Sequence, residues 1–118
     1  MTATGTDDLH ALFNRQVEAI HNGDLDSVLE NYRDDAVLVR FDAVATGIDE
    51  IREGLREYLT LRPRTTALLN LQAVGDVILY EADMSVGGNP TRAYGSLVLR
   101  DGKIWRQVAI FAEPPAAG

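Results

Sequence analysis

Residues 22–42 read Asn22-Gly23-Asp24-Leu25-Asp26-Ser27-Val28-Leu29-Glu30-Asn31-Tyr32-Arg33-Asp34-Asp35-Ala36-Val37-Leu38-Val39-Arg40-Phe41-Asp42. Asn22-Gly23 is a turn signal, and Asp24 behind it is a good N-cap, because its short carboxylate accepts from the free N–H groups of a first helical turn. Leu25, Val28, Leu29 and Tyr32 follow at helical spacing. The acidic pair Asp34-Asp35 breaks that period, and Ala36 to Val39 is a largely β-branched apolar run that reads as a strand. Residues two apart on a strand share a face, so Arg40 and Asp42 point the same way. A short helix, an acidic corner and a strand ending in opposite charges decide the fold.

On the N-terminal side, Thr6 is placed to cap a first helix, with Asp7 and Asp8 in the turn where the helix dipole favours them. Leu9, Leu12, Phe13, Val17 and Ile20 mark one helical face. Gln16 falls on that same face and must either find a partner indoors or line a cavity. On the C-terminal side, Thr46-Gly47 opens a third helix with the stripe Ile48, Ile51, Leu55, Tyr58 and Leu59, and Pro63 ends it. Gly54 in its middle costs about 1 kcal/mol against alanine, which predicts close packing there.

From Thr65 onward the pattern predicts four strands, near 65–74, 77–86, 91–100 and 103–112, parted by Gly75-Asp76, Gly87-Gly88-Asn89-Pro90 and Asp101-Gly102. The last is apolar on both sides, with Trp105, Ala109 and Phe111 opposite Ile104, Val108 and Ile110. A strand buried on both faces in so small a protein predicts a homodimer through the outer face of the sheet. Helices followed by antiparallel strands make an α+β fold. The three N-terminal helices are expected in the concave face of a curved, mostly antiparallel sheet, which leaves a concave mouth where a small-molecule pocket forms. The chain reads as a single domain over 1–112 with a loose, Pro/Ala/Gly-rich tail at 113–118.

Composition narrows the function. A net charge of −7 argues against nucleic acid or an anionic membrane surface as partner. Without cysteine there is no disulfide, thiolate metal site or cysteine nucleophile. His10 and His21 alone do not make a multi-histidine metal centre, so neither metal nor other cofactor is expected. Both histidines read as exposed helix residues. Met1 to Asp8 lack a basic region followed by an apolar run, and no stretch approaches a membrane span, so the expected location is cytoplasmic.

Three stretches carry a resemblance: Asn22-Gly23-Asp24-Leu25-Asp26, Asp34-Asp35-Ala36-Val37, and Gly47 followed by Ile51-Arg52-Glu53. With the element order they make the chain similar to the nuclear transport factor 2-like superfamily, in particular its ketosteroid isomerase and polyketide-cyclase-like branch. The resemblance implies a cone-shaped α+β barrel over nearly the whole chain. It does not imply one activity, since this fold hosts isomerases, cyclases, epoxide hydrolases, dehydratases and non-catalytic binding subunits. The isomerase base, phenolic donor and protonated acid correspond here to Arg40, Gln16 and Gly95, all departures from the isomerase pattern.

What the resemblance implies is therefore a substituted set. Asp42 would act as base, with Arg40 and Gln16 as oxyanion partners. The pocket around them would be formed by Tyr32, Tyr58, Tyr80, Met84, Trp105, Gln107 and Phe111. The ligand would be a small hydrophobic molecule, and any reaction a cofactor-free proton transfer of isomerase or cyclase type. Two alternatives remain: a non-catalytic ligand-binding or dimerisation module, and an epoxide-hydrolase-like use of Asp42 and Arg40 to position water. Alternation alone leaves open whether Arg40 and Asp42 face the pocket or form a surface ion pair.

Overall fold

Two glycines set the corners around the opening stretch. The structure, a computed structural model, describes residues 6–113, so the expected tail beyond Glu113 lies outside the described residues. Gly23 (φ 65°) turns the chain out of helix α1 (Thr6–His21), of which Thr6 is the first residue. Asp24 then caps the five-residue helix α2 (Leu25–Leu29), accepting from the Ser27 backbone N–H at 3.2 Å and the Ser27 hydroxyl at 2.7 Å. These bonds hold the Asp24 carboxyl below the usual carboxylate range. Gly47 (φ 86°) enters helix α3 (Ile48–Leu59), and the Glu50 carboxylate reaches back to the Thr46 N–H at 3.0 Å, half of a capping box.

Strand β1 (Tyr32–Val39) begins earlier than the sequence period indicates, so Tyr32 leaves the helix and Asp34-Asp35 lies inside the strand. The acidic pair is where pairing with the neighbouring strand slips, between Tyr32 and Val37. Arg33 donates to Asp35 at 2.8 Å and to Asp101 at 2.7 Å and holds that irregular stretch. The chain then turns at 40–43, closed by the Arg40 N–H on the Ala43 carbonyl at 2.9 Å. It returns as β2 (Val44–Thr46), a short strand that the sequence pattern did not announce.

Strands β3 (Arg64–Val74), β4 (Val77–Val86), β5 (Asn89–Arg100) and β6 (Lys103–Ala112) follow the expected order and spacing. The six strands are arranged β2-β1-β6-β5-β4-β3, with every pairing antiparallel except β1 with β6. The fold is α+β, a curved, unclosed sheet with the helices in its concavity. Leu9, Leu12, Val28 and Ile51 meet Ile78, Leu97, Leu99 and Ile104 in the core. A smaller cluster of Ala82, Met84 and Ala93 continues it along the sheet.

One irregularity changes the reading of the last strand. Val98 pairs with Arg106 but Leu99 pairs with Ile104, so two residues of β6 oppose one of β5. Trp105 is the extra residue of this β-bulge, which resets the alternation. Ile104, expected outside, is fully buried. Trp105, expected in the pocket, is held between the Arg100 and Arg106 guanidinium groups, 3.8 and 3.9 Å from its ring centroid.

Candidate functional site

Between the helices and the inner face of the sheet lies a cavity of about 580 Å³. Its walls are mainly apolar. Phe13, Val17 and Ile20 come from α1, Ile51 and Leu55 from α3, and Leu38, Leu97, Ala109 and Phe111 from the sheet. The mouth lies between the 40–43 turn and α3, where Ala43, Val44 and Gly54 are exposed. Gly54 is not closely packed: a β-carbon there would meet nothing within 4 Å, so the glycine leaves the mouth wide.

A chain of neutral polar groups runs along one wall. Asn31 Nδ2 donates to Gln16 Oε1 at 2.7 Å, and Gln16 Nε2 donates to the Tyr32 hydroxyl at 3.2 Å. The Tyr32 hydroxyl in turn donates to Gln107 Oε1. Gln16 thus does both things open to it: it is buried and bonded, and it lines the cavity. Asn31 is buried and was missed by sequence reasoning, because a lone asparagine at a helix exit carries no spacing signal.

Tyr58 and Tyr80 also line the cavity, and neither hydroxyl bonds to another described residue. Tyr58 stacks on Phe111 (5.9 Å between centroids) and Tyr80 tilts against Phe13 (5.2 Å). Burial raises the pKa of all three cavity phenols, Tyr32, Tyr58 and Tyr80, so each stays protonated and neutral. In Tyr32 the Gln16 and Gln107 bonds oppose that shift without cancelling it.

Of the remaining sequence candidates, Arg40, Met84 and Gln107 line the cavity, whereas Asp42 and Trp105 do not. Asp42 is on the 40–43 turn, 72% exposed and 3.2 Å from the Arg40 guanidinium, which also lies 5.2 Å from the Phe111 ring centroid. The strand ends at Val39, so the two-residue alternation linking Arg40 and Asp42 does not extend across the turn. The lining carboxylates are Asp49, Glu50 and Glu53, all exposed on α3 at the mouth and each bonded locally, to Arg52, the Thr46 N–H and Arg56. Among the described residues no group of three His, Cys, Asp or Glu is placed to hold a metal ion, and no helix is long and apolar enough to cross a membrane. Chemically, the wall can donate hydrogen bonds to a neutral ligand, and the mouth adds one cation in an ion pair.

A sequence model of the SnoaL-like domain matches residues 13–107. The chain belongs to the SnoaL-like family. This domain lies within the nuclear transport factor 2-like superfamily, as the three sequence stretches indicate. Among solved structures, it superimposes on a candidate ketosteroid isomerase from Kribbella flavida with a TM-score of 0.81 and 18% identity, over 98% of this chain and 87% of that one. A candidate polyketide cyclase from Sinorhizobium meliloti gives 0.75 and 24%, over 89% and 98%. A de novo designed protein with a curved β-sheet gives 0.78 and 14%, over 92% and 88%. No curated protein sequence matches. At such identities the likeness is one of fold, and a fold does not by itself assign an activity.

Proposed function

We propose that this SnoaL-like domain binds a small, uncharged, largely apolar molecule inside its cone. The observation that carries the reading is the cavity of about 580 Å³, with apolar walls, neutral hydrogen-bonding groups and carboxylates only at its mouth. That volume and make-up suit a drug-sized ligand. A charged ligand would lose its hydration against apolar walls, where the lining carboxylates sit at the mouth and the lining cation, Arg40, is already paired with Asp42.

Gly54→Phe tests the reading, because a ring projecting from that open position would stopper the mouth without displacing packed atoms. Binding of uncharged polycyclic compounds of naphthalene to steroid size, followed by calorimetry, should be present in the wild type and lost in the variant. The helix should be no less stable, since glycine is a poor helix former. A wild type that binds none of these compounds, or a variant that binds them unchanged, would sink the proposal.

Arg40 and Asp42 support a second reading, proton transfer at the mouth, because Arg40 lines the cavity and holds Asp42 beside it. There Asp42 would take the proton and Arg40 would steady the developing oxyanion. Asp42→Asn should then abolish turnover of a bound ketone while leaving its affinity intact; an unchanged rate would remove the assignment.

The partner proposed for the outer sheet face is a second copy of the chain. Val77, Leu79, Tyr94 and Val108 are exposed there, on ladders whose inward neighbours Ile78, Leu97 and Ala109 are buried.

A further inference from the structure

The polar wall has a direction. A phenol carries one proton, and an amide offers one acceptor oxygen and one donor nitrogen. Asn31 donates to Gln16, Gln16 donates to Tyr32, and Tyr32 spends its proton on Gln107 Oε1. That bond turns the Gln107 oxygen towards Tyr32 and occupies one of its two lone pairs. Gln107 Nε2 bonds to no described residue, and among the described residues no buried side-chain nitrogen or oxygen lacks a partner. Since Gln107 lines the cavity, that nitrogen is open to whatever fills it.

The other free polar groups differ in kind. The Tyr58 and Tyr80 hydroxyls can rotate and can donate or accept, so they serve either type of ligand. The Gln107 amide cannot turn over without breaking its bond from Tyr32 and presenting an N–H₂ group to a hydroxyl that already accepts from Gln16.

We propose that Asn31, Gln16 and Tyr32 are positioning residues that fix the orientation of the Gln107 amide, making Gln107 a specificity residue that selects ligands with a hydrogen-bond acceptor over ligands with a donor at the same place. The inference rests on the reading that the cavity binds an apolar molecule. It adds which polar group that molecule carries and which residues decide it.

Three compounds on one tricyclic skeleton separate the terms: fluorene (neither donor nor acceptor), 9-fluorenone (acceptor only) and carbazole (donor only). Calorimetry on the wild type should show fluorenone binding about 3- to 10-fold more tightly than fluorene, the worth of one net hydrogen bond, and carbazole gaining less over fluorene than fluorenone does. In Tyr32→Phe the amide is released, so the affinity of fluorenone relative to fluorene should fall and that of carbazole relative to fluorene should rise. Gln107→Leu should abolish the fluorenone advantage without helping carbazole, and it leaves the wall testable if Tyr32→Phe folds poorly.

A general loosening of the pocket would move all three affinities together, not their ratio. A wild type that prefers carbazole, or a Tyr32→Phe ratio equal to that of the wild type, overturns the inference. Fluorene bound with the other two at equal affinity overturns it alone. No binding of any of the three overturns the binding reading and the inference with it.

Discussion

Tyr80 on β4 and Gly95 on β5 are direct cross-strand partners, and the tyrosine ring lies over the glycine. A β-carbon on Gly95 would overlap Cζ, Cε1 and the hydroxyl oxygen of that ring. The position to which the resemblance assigns the isomerases' protonated acid is thus filled by a neighbouring phenol. The glycine's missing side chain is what lets Tyr80 lie flat against the sheet and form part of the cavity wall.

Gly95→Ala is therefore expected to cost about 1–3 kcal/mol in urea denaturation, as overpacking of a tight site does. Shortening the obstacle with Tyr80→Leu in the same chain should recover part of the loss. Equal losses in the single and double variants would show that the ring is not what the methyl group meets.

The bulge in β6 makes a second contrast measurable. Ile104→Ala should cost about 2–5 kcal/mol, since the side chain is fully buried and its removal leaves a cavity. Trp105→Ala should cost less despite the larger truncation, because the indole lies outside the core against Arg100 and Arg106. The reverse order would place Trp105 inside and refute the bulge register.

Alkaline pH is expected to weaken the fold. Burial holds the Tyr32, Tyr58 and Tyr80 phenols above their ordinary value in the folded chain. Unfolded, they release their protons near about pH 10. Above that point the unfolded state binds fewer protons than the folded one, so this stability is complete below about pH 10 and falls as pH rises. Urea midpoints followed from about pH 8 to about pH 11 should decline, and less steeply in Tyr58→Phe, which removes a phenol without a hydrogen-bond partner. Equal slopes in the two proteins would count against burial as the cause.

The outer face gives a prediction about assembly. Leu79 and Val108 are 55% and 41% exposed and both pair with Ser96, one from each side of β5. Leu79→Lys should convert a sedimenting dimer into a folded monomer. A wild type that sediments as a monomer would remove the second-copy proposal.

Much of the fold was legible because its signals are local. Turn dipeptides and the Asp24 cap each depend on a few adjacent residues and survive in the structure with nearly the same boundaries. What escaped depends on residues far apart in the chain. The early start of β1 at Tyr32 follows from pairing with Ile104, and the inward turn of Ile104 follows from a bulge against Leu99. Asp42 left the candidate wall because the strand stops at Val39 and a turn intervenes, which a period of two cannot foresee. Gln16 was visible as an anomaly on an apolar face, but its partners Asn31, Tyr32 and Gln107 come together only through the sheet.

The chain has a single tryptophan, clamped outside the cone between two guanidinium groups. Its emission is therefore an optical gauge of the sheet's outer surface, sensitive to the bulge, to salt around the two arginines and to anything that settles on that face. A molecule entering the cone leaves that gauge still. Fluorescence and calorimetry would then report different events in the same tube, one on the convex side of the sheet and the other on the concave.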